Sequence, residues 1–78
     1  MTDIDVNVLA RIREINATGV DANQGELLQQ FSDISALRFA LNRLLHSGKV
    51  TVKLTRPHRS SARDVAAAYL DFIGIRAI

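Results

Sequence analysis

The sequence predicts a single small domain, mainly α-helical with a small β-strand or hairpin, and three observations carry that prediction. First, a chain of 78 residues can bury roughly 60% of the surface it exposes when unfolded, which is enough for one hydrophobic core. Second, three segments before Gly48 place apolar residues at helical spacing. Third, the stretch that follows alternates apolar and polar residues, the period of a half-buried strand. Hydrophobic residues make up 47% of the chain and charged residues 23%, the proportions of a globular rather than a disordered chain. The expected architecture is a three-helix core plus a C-terminal helix, in one domain over residues 1–78.

In DIDVNVLARIREINATG, Ile4, Val8, Ile12 and Ile15 fall on one helical stripe, Leu9 flanks it and Arg13 lies on the polar side. Asp3 is the expected cap, and Thr18 and Gly19 end the helix. Val20, just after it, is placed to pair briefly with a later strand. A short second helix is expected over about residues 24–30, because Asn23 and Glu26 have capping-box spacing and Leu27, Leu28 and Phe31 can pack inward. The third helix is the strongest. Ile34, Leu37, Leu41, Leu44 and Leu45 cover one face, Ser32 or Asp33 caps it and Gly48 stops it near His46 or Ser47. So short a connection from the second helix forces the two into immediate contact at an angle.

Val50, Val52 and Leu54 then alternate with Thr51, Lys53 and Thr55 as a strand, Pro57 ends it, and RPHRSS reads as a basic loop. The last segment has two readings. Ser61 and Asp64 form a capping pair, Val65, Tyr69, Phe72 and Ile73 have helical spacing, and Ala66 to Ala68 favour a helix. A helix over about residues 62–73, stopping at Gly74, is expected. In the rival reading YLDFIGI is a strand pairing with residues 50–55, since Tyr69, Phe72, Ile73 and Ile75 are good strand formers.

Charge is unevenly distributed. Residues 1–33 hold two cations against six acids, a net −4, while residues 34–63 hold Arg38, Arg43, Lys49, Lys53, Arg56, Arg59 and Arg63 with no acid, a net +7. Residues 64–78 contribute −1, for a whole-chain charge of +2. Such asymmetry suggests one side that faces a polyanion, the bland alternative being a solvated basic loop.

At SDISALRFALNRLLHSGKVTVKL the sequence resembles the winged helix-turn-helix family of DNA-binding domains, as found in small prokaryotic or phage transcription regulators. Arg43 and Leu44, then Gly48 and Val50, stand where that family ends its recognition helix and enters its wing. The resemblance covers residues 20–59 and places the helix-turn-helix at about 23–47 and the wing at about 49–61. It implies double-stranded DNA as partner, with the third helix in the major groove and the wing on the backbone or minor groove. The family's wing normally returns as a strand, where a helix is expected here.

On a helical wheel with Leu37 and Leu41 inward, Ser35, Phe39, Asn42, Arg43 and His46 point outward and Arg38 lies at the border. Arg43 has the fork to pair with guanine, Asn42 the amide to pair with adenine, and Ser35 a hydroxyl for a base or a phosphate. Lys53, Arg56, His58, Arg59 and Arg63 are the expected wing contacts. Phe39 suits a thymine methyl, burial against the fourth helix, or a protein partner.

Other chemistries find little support. The chain has no cysteine, and neither His46 nor His58 has the neighbours a metal set needs. Ser60 and Ser61 lack a base and its orienting group. No enzymatic activity, metal or cofactor is expected. The acidic opening MTDIDVN is unlike a secretory signal and no run of 18 apolar residues occurs, so a cytoplasmic protein without a membrane partner is expected. Tyr69, Phe72, Ile73 and Ile75 either complete the core beside the first helix or form a homodimer surface. The alternative function is a protein-protein interaction module on the same frame, using Phe39 and the apolar C-terminus. RNA is less favoured, since no aromatic pair sits among the basic residues.

Overall fold

The computed structural model describes residues 3–57 and 70–78. The elements run α1 (Asp3–Ala17), β1 (Ala22–Asn23), α2 (Gln24–Leu28), α3 (Ile34–His46), β2 (Val50–Pro57) and β3 (Leu70–Ala77). The three strands form one antiparallel sheet in the order β1-β3-β2, with the last strand in the middle. The protein is therefore a mixed α and β domain. No helix among the described residues is long and apolar enough to cross a membrane.

The helices form where the apolar period demands them. Val8, Leu9, Ile12 and Ile15 of α1 are buried, as are Leu37, Ala40, Leu41 and Leu44 of α3. Each stripe repeats every three or four residues, so each helix turns one face inward. The short α2 adds Leu27 to the same core, with Leu28 and Phe31 packed partly against it. Its cap is Asn23, whose side chain accepts the Glu26 amide at 2.9 Å. Asp33 caps α3 in the same way, accepting the Ala36 amide at 3.1 Å. Both satisfy an amide that has no partner within the helix. Asp3 lies inside the first turn of α1 together with Asp5, rather than at a cap.

At the far end of α3, Gly48 takes φ +74°. The Gly48 amide then donates to the Leu45 carbonyl and the Lys49 amide to the Leu44 carbonyl, the paired closure a left-handed residue allows. That turn reverses the chain into β2. Val50 is buried and Val52 partly so, while Thr51 and Lys53 are exposed, as the alternation predicts, but Leu54, expected on the inward face with the two valines, is 51% exposed.

The C-terminal helix expected over residues 62–73 is not there in its described part. Leu70 to Ala77 is a strand, paired with β2 from Val50 opposite Ala77 to Pro57 opposite Leu70. Residues 62–69 lie outside the described residues. The rival strand reading is the one that holds for residues 70–75. Burial explains the outcome: Phe72 and Ile75 are 1% and 0% exposed, and each is worth about 1.5–3 kcal/mol when removed from water. Helix propensity differs among such residues by only a few tenths of a kcal/mol.

Phe72 and Ile75 are three residues apart, and in a regular strand they would face opposite sides. Between them Gly74 takes φ +71°, and the pairing to β1 slips there, from Ala22 opposite Ile75 to Asn23 opposite Ile73. A one-residue irregularity of this kind twists the strand and re-aims its side chains. Gln24 is buried with its Oε1 accepting the Phe72 amide at 3.2 Å, so that buried donor is not stranded.

Asn16, near the end of α1, ties the first helix to the last strand. Its Nδ2 donates to the carbonyls of Val20 and Ile75, and its Oδ1 accepts the Ala77 amide at 2.8 Å. One side chain thereby satisfies three backbone groups.

Candidate nucleic-acid interface

With Leu37, Ala40, Leu41 and Leu44 facing the core, α3 is left with a bare outer line. Ser35, Phe39 and His46 are exposed, Asn42 is half-buried, and Arg38 is half-buried at the border, as the wheel predicted. The line from residue 35 to residue 46 spans about 16 Å at 1.5 Å per residue. Phe39 is 57% exposed, so it is not buried against another element. His46 directs Nδ1 at the Asn42 carbonyl, 3.0 Å away. A carbonyl only accepts, so Nδ1 is the donor in that bond. A hydroxyl, an amide, an imidazole nitrogen and an aromatic face thus share one ridge, with donors, acceptors and apolar surface together.

Arg43, expected to face DNA, also pairs within the chain. Its Nε donates to both oxygens of Asp5, at 3.1 and 2.9 Å, and its Nη2 to Oδ1 at 2.7 Å. One edge of the guanidinium is therefore committed to α1 and is not available to a guanine. Hydrogen bonding to Asp5 raises the Arg43 pKa above its already high ordinary value, against a smaller opposing effect of desolvation. The Asp5 side chain is only 4% exposed while that of Arg43 is 47% exposed. A carboxylate in such a place needs a close cationic partner, because losing water costs it several kcal/mol.

Lys53 does likewise. It is exposed on β2, but its ammonium lies 3.8 Å from Asp21, which also holds the Arg76 guanidinium. The acid lessens the charge that Lys53 can offer a phosphate. Arg56 stands in β2 opposite Asp71 in the ladder, near the end where β2 stops. His58, Arg59 and Arg63 lie outside the described residues, in the segment joining β2 to β3.

The residues suggested for a dimer surface are placed in part. Phe72 and Ile75 are buried in the core of their own chain. Ile73 is half-buried, and Tyr69 lies outside the described residues.

Two acids that the sequence reading passed over organise this region. Asp21 gathers Lys53 and Arg76 on the sheet. Asp5 grips α3, and one signal pointed to it: with Leu9 four residues on and Ile12 seven residues on, Asp5 occupies a core-facing position of the α1 stripe. An acid at such a position implies a partner. No protein-family model, no characterised protein and no solved structure matches this chain.

Proposed function

We propose that this chain is a small winged-helix transcription regulator that binds double-stranded DNA in the cytoplasm, with α3 in the major groove and the β2–β3 ribbon on the backbone. The observation that carries the reading is the exposed ridge of α3, polar apart from Phe39, capped by Asp33 and closed by Gly48, followed at once by an antiparallel ribbon. A helix with its side chains is about 10–12 Å across and the major groove about 12 Å wide, so such a ridge fits a groove lengthwise. The family's wing returns as a strand, and β3 supplies that return. Among the basic residues, Lys49 is exposed directly after α3, and Arg56, His58, Arg59 and Arg63 cluster in sequence where the ribbon ends. These supply the sequence-independent attraction to phosphate, while Ser35, Asn42 and His46 read base edges.

Selection from random duplex DNA, followed by titration of the chosen duplex at two salt concentrations, tests this reading. Asn42→Ala is expected to weaken the selected site by about 1–3 kcal/mol and relax its sequence preference. Arg59→Ala is expected to weaken all sequences alike and to flatten the salt dependence. A chain that enriches no sequence and binds no duplex at low salt overturns the reading.

A second reading is favoured by Phe39, a large aromatic exposed at the centre of the ridge. A protein-interaction module would use it as an anchor in a partner's pocket. Partner binding that is insensitive to salt, and lost in Phe39→Asp, would support that module in place of the DNA reading.

A further inference from the structure

We propose that Asp5 is a positioning residue for DNA binding: it grips the inner edge of the Arg43 guanidinium so that the outer edge meets a backbone phosphate at the flank of the groove. This rests on the DNA-binding reading above. Every hydrogen bond between the two side chains uses Nε or Nη2 of Arg43. A guanidinium carries five N–H donors in a rigid fork, so a partner on that edge leaves the Nη1 pair and one Nη2 hydrogen for another acceptor. The acid is hidden, at 4% exposure, whereas the arginine is 47% exposed. The pair therefore presents cationic donors to solvent while its carboxylate is turned inward.

Position selects the ligand. Ser35, Phe39, Asn42 and His46 follow one another at steps of four, three and four residues and define the centre of the ridge. Arg43 is one residue, or about 100°, round the helix from Asn42, on the side where α1 supplies Asp5. When the centre line lies over the groove floor, a side chain displaced in this way meets the sugar-phosphate wall. Phosphate oxygens match the remaining fork, and a preorganised arginine loses less freedom on binding than a free one.

Charge alone predicts the opposite behaviour for Asp5, and this difference makes the role testable. Removing a carboxylate near a polyanion should strengthen binding if Asp5 serves only the fold, whereas removing a positioning residue should weaken it. The measurement is anisotropy titration of the full chain against the selected duplex and a random-sequence duplex, over a series of salt concentrations and well below the melting temperature of each variant. Asp5→Asn is expected to bind both duplexes about tenfold more weakly, the worth of one charge-assisted contact. Arg43→Gln should lose a similar factor and lower the salt slope by about 1. Arg43→Lys should keep the wild-type slope, since it keeps the charge, and still bind several-fold more weakly for want of the fork; it decides the matter should Asp5→Asn fail to fold. Asp5→Asn binding as tightly as wild type or tighter, Arg43→Lys matching wild type, or losses confined to the selected duplex would each overturn the proposal. A wild-type chain that binds neither duplex would instead overturn the DNA-binding reading beneath it.

Discussion

α3 and β3 both bury residues three apart, and they do so by different means. In α3 the spacing from Leu37 to Ala40, or from Leu41 to Leu44, is the natural repeat of a helix, and the backbone is regular throughout. In β3 the spacing from Phe72 to Ile75 is made by a single irregular residue, Gly74. The helix spreads its packing over four buried side chains and leaves a whole face free for contact. Among the β3 residues whose burial is described, the strand concentrates it on two, Phe72 and Ile75, flanked by neighbours on both sides. Tolerance should therefore differ: α3 can change Ser35, Phe39 or His46 at little cost in stability, although not Arg43 with its buried partner Asp5, whereas β3 depends on a few atoms.

The sharpest test of that difference is truncation of the core. Phe72→Ala removes the largest fully buried side chain and should destabilise by about 3–5 kcal/mol, while Leu41→Ala should cost about 2–5 kcal/mol. Denaturant melts of both variants measure this, and a Phe72→Ala loss below 1 kcal/mol would contradict the role given to β3. Next in size is Gly74→Ala. A Cβ there would stand 2.4 Å from the Lys53 Cβ, an atom held close to the backbone of the neighbouring strand. Gly48, with a similar positive φ, has nothing within 4 Å of the same point. Gly48→Ala should therefore cost only the conformational strain, about 1–2 kcal/mol, and Gly74→Ala clearly more. Equal losses would show that crowding at Lys53 does not matter.

Smaller still, Asp33→Ala should cost about 1 kcal/mol by removing the cap of α3. The smallest change expected is Ser35→Ala, within about 0.5 kcal/mol of wild type, because its side chain is exposed and the cap of α3 is supplied by Asp33 instead. A thermal melt checks both, and a large loss from Ser35→Ala would mean that the ridge is not free.

The sequence makes α3 legible because every local signal agrees: the apolar period, the Asp33 cap, the Gly48 stop and the alternation in β2 point to one arrangement. The outward line of Ser35, Phe39, Asn42 and His46 followed from it directly. β3 resembles a helix in sequence because a three-residue spacing imitates one, and an irregular strand produces that spacing only through a register fixed by distant residues. Ala66 to Ala68 added local helix propensity from outside the strand itself. Arg43 was placed outward correctly, but its pairing joins residues 38 positions apart, and no local pattern records that. Asp21 is similar, since its two partners belong to strands far along the chain. For Phe39 the sequence allows burial or exposure, and packing of the opposite face of α3 leaves it exposed.

Asn16 joins the beginning of the molecule to its end. Because its amide group is bonded to the Ile75 carbonyl and the Ala77 amide, the first helix cannot swing away while the final strand stays seated. Opening either one strands buried polar groups on the other, so the two should come apart together. Hydrogen exchange should therefore report matched protection for the last turn of α1 and the final residues of β3, and deleting residues 75–78 should release the opening helix as well.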